Sequence, residues 1–519
     1  MIGGRRGALT ELTESAFAAG QSAAETGRPG PAPRAALRFR FRGAEVALDR
    51  FSPRLTLLDW LREEAGAKGV KEGCAEGDCG ACTVVLSRPK PGGGVDYKPV
   101  NACVMLLGQV DGAEVITVED LAEGQTLHPV QQAMVDLHGS QCGFCTPGIV
   151  MSLFALYHSG EPATRTTVND QLAGNLCRCT GYRPIVDAAL EACTGAAQDG
   201  FAREEKARQA ALAALKDGRD LFVGDEERFF AAPSSEASLA ALYQRHPDAT
   251  LVGGATDVGL WVTKGLRDLK KIIWLGRVAG LDRIEESAEA LDFYAMAGLD
   301  AALEPLAALH PDLREIMRRF GSKQVRAAGT IGGNVANGSP IGDSPPALIA
   351  LGATLELRRG EATRTLPLEN FFIAYGKQDR RPGEYVRRVH VPKLKPNQHY
   401  RAYKVSKRFD EDISAVMAAY RFTLEGRRIA EARLAYGGMA ATPKRASFAE
   451  AALIGASLDD RPSWKAALEA IGADFTPLTD MRATASYRTK VATNLLLKAL
   501  TEIAGGAGTT RISELHAAE

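Results

Sequence analysis

Residues 73–82 read GCAEGDCGAC, and with a later cysteine they supply four thiols, Cys74, Cys79, Cys82 and Cys103, spaced C-x4-C-x2-C-x20-C. The first two intervals match the plant-type pattern for a [2Fe–2S] cluster, which takes its fourth ligand further along the chain. Gly73, Gly77 and Gly80 interleave the ligands. A loop wrapped round a compact anion needs positive φ and close backbone approach, which glycine supplies, and its N–H groups then face the sulfides. TVVLS after Cys82 predicts a strand. Residues 100–107 around Cys103 read either as another strand or as the start of a helix.

Four more cysteines, Cys142, Cys145, Cys177 and Cys179, are spaced C-x2-C-x31-C-x-C. Each pair precedes a predicted helix. Thr146-Pro147 leads into GIVMSLFALYHSG, and Gly181-Tyr182-Arg183-Pro184 leads into IVDAALEAC. Helix N-termini offer free N–H groups and a positive dipole end, both favourable beside an anionic cluster. Arg178, between two ligands, adds a cation. Zinc held by four cysteines is the rival assignment, but zinc sites usually pair CxxC-like turns, and neither C-x4-C nor C-x-C has that form. The ninth cysteine, Cys193, lies on the apolar face of its helix and reads as a core thiol.

All nine cysteines fall between positions 74 and 193, a distribution that suits metal ligands better than a secreted disulfide framework. The N-terminus carries Arg5-Arg6, but Glu11 and Glu14 interrupt the next residues, so no apolar signal segment forms and a cytoplasmic setting is expected. The 519 residues suffice for about three domains of ~150 residues. At 45% hydrophobic and 24% charged the chain is not of a disordered class. Lys plus Arg equals Asp plus Glu at 63 each, which excludes a chain-wide basic field for nucleic acid. No apolar run approaches the ~18 residues of a membrane span. The eight histidines (His128, His138, His158, His246, His310, His390, His399, His516) form no metal-spaced cluster in sequence.

The segments KEGCAEGDCGACTV, HGSQCGFCTPG and AGNLCRCTGYRPI resemble the iron–sulfur region of the molybdenum hydroxylases, the xanthine dehydrogenase and aldehyde oxidase family. The resemblance implies a multi-domain α+β chain. A β-grasp, ferredoxin-like [2Fe–2S] domain is expected over residues 36–115, and a four-helix [2Fe–2S] domain, nearest the molybdenum cofactor, over 116–195. The charged, Ala-rich stretch AREEKARQAALAALKDGRD reads as a surface linker within 196–221. Residues 1–35, rich in Ala, Gly and Pro, read as a disordered tail.

Further on, ATLVGGATDVGL and QVRAAGTIGGNVANGSPIGDSPPALIALGATLEL carry glycine-rich turns, which are weak evidence alone. No GxGxxG occurs, so a Rossmann fingerprint is missing. The resemblance supplies a different dinucleotide fold, a vanillyl-alcohol-oxidase-type FAD-binding domain over 222–398. It places the pyrophosphate loop on Leu251, Val252, Gly253, Gly254, Ala255, Thr256 and Asp257. A second FAD segment falls on Gly329, Thr330, Gly332, Gly333 and Asn334, then Asn337 and Asp343. Phe320, after LREIMRRF, corresponds to an aromatic that stacks on the flavin, with ordinary packing as the alternative. Val386 and Lys404 match further flavin positions. Lys404 reads either as a cation for an anionic reduced flavin or as a solvated surface lysine. Residues 399–519 resemble the family's C-terminal α+β flavoprotein domain, with a strand ending at Gly437-Gly438. Its final helix lies near residues 487–500, where Val491 and Leu495 share a predicted buried face.

By resemblance the chain is an electron-transfer small subunit carrying two [2Fe–2S] clusters and FAD, with NAD+ as acceptor. The molybdopterin–molybdenum site is then expected on a separate large subunit, in a two-plus-two heterotetramer. Electrons from hypoxanthine or xanthine oxidation to urate would reach the Cys142/Cys145/Cys177/Cys179 set first, then the Cys74/Cys79/Cys82/Cys103 set. Gln141 matches a position close to the molybdopterin, a plain surface turn being the alternative. An aldehyde or N-heterocycle substrate, and a zinc-stabilised scaffold without redox activity, are the other readings.

Overall fold

The computed structural model describes residues 32–90, 92–505 and 510. Strand β1 (Leu37–Phe41) turns through Arg42 and Gly43, both at positive φ, into β2 (Ala44–Leu48), a two-residue hairpin of the kind that suits strand twist. With β3 (Thr83–Pro89), β4 (Val95–Asn101) and β5 (Glu114–Ile116) they form a mixed sheet ordered β2-β1-β5-β3-β4, β1 running parallel to β5. Leu37, Phe39 and Phe41 alternate inward, and Trp60 meets both phenyl rings edge-on. Strands β3 and β4 pair with Thr83 opposite Asn101, so Cys82 and Cys103 leave the same end of one hairpin. The twenty-residue interval in the motif is the length of that hairpin. Residues 100 and 101 end β4, Cys103 lies in a turn, and a 3₁₀ turn comes next over Leu107–Val110.

Four helices come after this sheet: Pro129–Asp136, Thr146–Tyr157, Arg165–Leu172 and Arg183–Ala192. Every residue from Gly148 to Tyr157 is buried, so this helix is the centre of the domain, and it lies against β3. Cys193 is buried, its sulfur 3.6 Å from the Leu153 carbonyl.

The stretch expected as a surface linker is helical and packed. Its helices Gly200–Arg203 and Glu205–Ala214 bury Phe201 and Leu212. Arg208 bonds Glu114 on β5 while its guanidinium stands 4.5 Å over the Phe201 ring. Few apolar residues are needed when a long cationic stem packs as well. Of the expected tail, residues 1–31 lie outside the described residues. Arg34 lies inside, and it is buried. It bonds both oxygens of Asp111 at 3.0 and 2.7 Å and Asp217 at 2.9 Å, and Arg277 bonds the same two carboxylates. The tail reading therefore stops short of Arg34, which stitches three distant parts of the chain together.

Strands β6 (Leu221–Gly224), β7 (Phe229–Ala232), β8 (Thr250–Val252) and β9 (Lys271–Trp274) form a sheet ordered β6-β7-β9-β8. An antiparallel sheet combines β10 (Ile284–Glu286), β11 (Ala290–Tyr294), β12 (Thr354–Arg359) and β13 (Ala362–Pro367) with a later strand. After the small hairpin of β14 (Phe372–Ala374) and β15 (Lys377–Gln378), that later strand, β16 (Tyr385–Pro392), pairs with β11 and β12. The last sheet runs β17 (Gln398–Val405), β18 (Val416–Glu425), β19 (Arg428–Gly437), β20 (Lys444–Arg445). One face of it packs on the Ser344–Leu351 helix. The other packs on the Ser447–Leu453 and Ala485–Ile503 helices. In Ala485–Ile503 the buried line is Ala492, Leu496, Ala499 and Leu500, with Val491 and Leu495 only partly buried at its edge. The expected face is thus rotated by one residue. No helix among the described residues is long and apolar enough to cross a membrane.

The first sheet, the four-helix region and the segment around Gln324 meet at one buried polar knot. The Gln324 amide nitrogen shares its two hydrogens among Asn175 (2.9 Å), Ser152 (3.1 Å) and Thr83 (3.2 Å), and the Leu176 N–H donates to the Cys79 carbonyl at 3.0 Å. Residues 406–413 return from the C-terminal region to the first cysteine loop, bringing Arg408 to 3.9 Å from Asp78. Beside them Glu411 has a left-handed backbone and two buried carboxylate oxygens without a partner. Burial, then the nearby Asp78, pushes its carboxyl up to about 9. An anionic cluster in that loop would push the same way.

This packing can be tested at two residues. Gln324→Leu keeps the volume and removes the donor that Asn175, Ser152 and Thr83 share, while each of the three keeps another partner, so unfolding of the loaded protein by denaturant is expected to lose about 0.5–1.5 kcal/mol; unchanged stability would contradict the knot. Glu411 is neutral when folded and ionised when unfolded between the ordinary pKa of about 4.3 and its raised one. Its contribution is complete below about pH 4.3, declines across that window and is lost above its raised pKa. Glu411→Gln is therefore expected to protect residues 406–413 from proteolysis near pH 8.5 and to make little difference near pH 5. Equal protection at both pH values would contradict the assignment.

Candidate cofactor sites

The loop before β3 and the turn after β4 bring all four thiols of the first set together. Cys82 and Cys103 sulfurs are 3.2 Å apart, and Cys74 contacts both Cys103 and Cys79. Gly77 and Gly80 take positive φ, and a Cβ on Gly73 would fall 2.7 Å from the Cys79 sulfur. The Cys74 sulfur accepts from the N–H groups of Cys79 (3.3 Å) and Glu76 (3.4 Å). Its contacts with Cys103 and Cys79, with those N–H groups, draw the Cys74 thiol far down; the same thiol contacts and burial push Cys79 and Cys103 up. Shared protons of this kind are what metal binding expels.

The second set forms from two helix-leading turns. Cys145 caps Thr146–Tyr157, and Tyr182, at φ 70°, caps Arg183–Ala192 while its hydroxyl accepts from the Cys177 N–H at 2.9 Å. Cys142 contacts Cys179, and Cys145 contacts Cys177. Burial, then the Cys177 contact, pushes Cys145 up to about 12. Against burial, the Thr180 hydroxyl and neighbouring N–H groups draw Cys177 down. Cys82 and Cys103 are 2% exposed, whereas Cys142 and Cys179 are open to solvent, as are Gln141 and Arg178.

Both sets fit a two-metal cluster better than one ion. A tetrahedral zinc site, with Zn–S about 2.3 Å, puts all four sulfurs within about 3.8 Å of one another. Among the described residues the one group of three or more ligand atoms that all lie within 4.8 Å is His128, His158 and Asp199. That trio, which no sequence spacing signalled, is a buried strut. The His128 and His158 Nε2 atoms both lie 2.8 Å from the same Asp199 oxygen. His128 Nδ1 accepts from the Val130 N–H, so its Nε2 carries the hydrogen and has no lone pair for a metal. Despite burial, the bonds from His128, His158 and the Ala202 N–H hold the Asp199 carboxyl well below the usual range.

In the flavin region the two glycine-rich segments lie face to face. A Cβ on Gly254 would meet the Ala328 carbonyl oxygen at 2.0 Å and Gly329 Cα at 2.8 Å, and one on Gly253 would meet the Thr330 hydroxyl at 3.0 Å. Ala255 takes φ 62°. Among the described residues, the N–H groups of Gly254, Ala255, Thr256 and Asp257 have no protein acceptor, a run of donors suited to a pyrophosphate. Asp257 is solvent-accessible, yet the surrounding protein raises its carboxyl against a hydrogen bond with Asn337, as expected of a group standing in a cleft. Leu251 and Val252 lie on β8 below it. Thr330 caps the Ile331–Asn337 helix through the Gly333 N–H, and Gly332 donates to the Ala295 carbonyl.

Other matched residues have partners of their own. Asn334 accepts from Ser344 at 2.6 Å. Lys404 is buried, not solvated, and pairs with Asp343 at 2.5 Å; the other Asp343 oxygen accepts from Ser414. The ammonium is thus already neutralised. Val386 lies in the core opposite Leu357, and Phe320 is partly buried against the same core. The residue that sequence reading missed is Gln109. It is buried, and its amide nitrogen donates to the Gly253 carbonyl at 3.0 Å, joining the first cysteine domain to the glycine-rich loop after β8.

Four domain families match the chain. The 2Fe-2S iron-sulfur cluster binding domain covers residues 42–107, and the [2Fe-2S] binding domain covers 117–190. The FAD binding domain in molybdopterin dehydrogenase covers 226–394, and the CO dehydrogenase flavoprotein C-terminal domain covers 401–503. A xanthine dehydrogenase of Emericella nidulans is 33% identical over 500 residues, 85% of this chain and 36% of that protein. One of Drosophila subobscura is 34% identical over 461 residues, 78% of this chain and 34% of that protein. The chain thus spans about a third of the length of these curated relatives. Among solved structures, a chain of reconstituted CO dehydrogenase from Oligotropha carboxidovorans aligns with a TM-score of 0.50 at 28% identity, over 55% of this chain and 99% of that one. With an FAD module of the molybdopterin dehydrogenases behind two [2Fe–2S] domains, and xanthine dehydrogenases as relatives over most of its length, the chain belongs to the molybdenum hydroxylase family as a small-subunit-like iron–sulfur and FAD chain.

Proposed function

We propose that this chain is the electron-transfer subunit of a cytoplasmic xanthine dehydrogenase. Electrons released as a separate molybdopterin-binding large subunit oxidises hypoxanthine or xanthine to urate pass through it to NAD+, in an assembly of two small and two large chains. The observation that carries this reading is the order of the sites in space. The second cysteine set, with Cys142 and Cys179 exposed, touches the first set, with Cys82 and Cys103 buried, through Leu176 and Cys79, and the region of the first set touches the proposed flavin loop through Gln109 and Gly253. When bound, the [2Fe–2S] clusters carry electrons singly, and FAD trades single electrons for the pair that NAD+ accepts as hydride.

The chain's own residues hold, orient and shield. Cys142, Cys145, Cys177 and Cys179 present one cluster at the surface. Around them Phe144 (49% exposed), Leu176 and Tyr182 leave apolar area uncovered, which suits the docking face of the large subunit, with Gln141 at its edge. Cys74, Cys79, Cys82 and Cys103 hold the other cluster, with Cys82 and Cys103 buried and Cys74 and Cys79 half-buried. The N–H groups of residues 254–257 bind the FAD pyrophosphate above Leu251, Val252 and Gly253, and Gly329, Thr330, Gly332, Gly333, Asn334 and Asn337 form the facing wall. Phe320 and Val386 supply apolar surface, and Lys404 with Asp343 supplies a charge-balanced pair. The substrate is chosen by the large subunit, so an aldehyde or N-heterocycle hydroxylase would use the same small chain.

Chain purified without oxygen, from cells given adequate iron, is expected to hold about four iron and one FAD, with two [2Fe–2S] EPR signals after reduction. Cys145→Ala is expected to lose one signal and keep NADH-driven dye reduction. Xanthine-driven reduction through the large subunit should then fall to background. A colourless zinc protein would contradict the relay. Xanthine-driven reduction surviving in Cys145→Ala would contradict the order of the sites, and turnover of aldehydes but not xanthine would replace the substrate alone.

A further inference from the structure

Gln109 occupies the 3₁₀ turn just after the Cys103 ligand turn, and it is 3% exposed. Its side chain makes two bonds that point in opposite directions. The amide oxygen accepts from the Leu106 N–H at 2.9 Å, and the amide nitrogen donates to the Gly253 carbonyl at 3.0 Å. One partner is a backbone donor and the other a backbone acceptor, so the orientation of the amide is fixed by chemistry. The same carbonyl accepts from the Trp274 indole at 3.1 Å, and the Gln109 backbone carbonyl accepts from Arg88 at 2.8 Å. The two segments also press together beyond this amide: a Cβ on Gly259 would meet the Val104 carbonyl oxygen at 2.2 Å, and Lys264 donates to the Cys74 carbonyl at 2.5 Å.

We propose that Gln109 is a positioning residue that sets the Gly253–Asp257 loop on the Cys103 turn, so that flavin binding and the environment of the first cluster are coupled through one amide. The proposal rests on the reading of residues 251–257 as the FAD loop. Glutamine suits the position because it offers an acceptor and a donor at opposite corners of one rigid plane. Glutamate has the same shape, but its second oxygen would face the Gly253 carbonyl oxygen. Methionine has a similar volume and forms neither bond.

The test uses loaded protein carrying Gln109→Glu, Gln109→Met or, as a control on the loop, Gly254→Ala. FAD dissociation, flavin midpoint potential and the EPR signal of each cluster are measured. Gln109→Met is expected to release FAD about five- to tenfold faster and Gln109→Glu about a hundredfold faster. The flavin potential and the EPR signal of the Cys74/Cys79/Cys82/Cys103 cluster should shift in both, while iron content and the other cluster's signal stay at parent values. A role in packing alone would make the isosteric glutamate the milder change, and that order would overturn the proposal. Joint loss of both cluster signals would overturn it too. If Gly254→Ala sheds FAD while both Gln109 variants keep parent affinity, the proposal fails and the loop reading stands. If Gly254→Ala keeps FAD, both fail together.

Discussion

Three backbones approach each other at Gly80, Gly148 and Gly174 more closely than any side chain would allow. A Cβ on Gly148 would fall 2.1 Å from the Gly80 carbonyl oxygen, and one on Gly80 would fall 2.1 Å from the Gly174 carbonyl oxygen. Gly80 lies between two ligands of the first cysteine set, Gly148 in the first turn of the helix led by Cys145, and Gly174 just before the Cys177 turn. This contact brings both thiol sets onto one rigid junction, and the buried Gln324, Asn175, Ser152 and Thr83 network holds it in register. The donors and acceptors of this network are paired apart from the buried Gln324 amide oxygen, and their directions favour one docking geometry.

Burial differs between the two thiol sets. Cys142 and Cys179 of the second set reach solvent while Cys177 is buried, and in the first set Cys82 and Cys103 are buried while Cys74 and Cys79 are half-buried. In the proposed relay, the exposure of Cys142 and Cys179 suits docking, and the burial of Cys82 and Cys103 lets nearby N–H groups and charges tune that cluster's potential. The pairing of Lys404 with Asp343 belongs to the same logic. A buried ammonium without its carboxylate would be a strong local field, and the pair confines that field to a short range.

Much of this was legible in the sequence because it is local. Ligand spacing, interleaved glycines and proline-led helices are written within a dozen residues of each cysteine, and the resemblance carried the glycine-rich flavin segments that composition alone left ambiguous. The features that stayed hidden depend on pairs far apart in the chain. Gln109 looked like any polar residue in a turn until Gly253 came beside it. Arg34 sat in an Ala- and Pro-rich stretch that reads as a tail, and only Asp111, Asp217 and Arg277 make it structural. The helices after residue 200 looked too poor in large apolar residues to pack, because the Arg208 stem and its Phe201 contact do not register as hydrophobic. His128 and His158, thirty residues apart, share Asp199 only once their helices are side by side. In the last helix the spacing of Val491 and Leu495 was real, but the sheet contacts the neighbouring line of small and leucine residues.

The proposed relay of two [2Fe–2S] clusters and FAD makes a demand that a single experiment can check. The most direct is an experimental structure of the loaded protein, with iron located by its anomalous scattering. Two iron pairs are expected, one at each cysteine set, and FAD with its pyrophosphate against residues 253–257. A single ion at either cysteine set, or a flavin bound away from that loop, would contradict the arrangement.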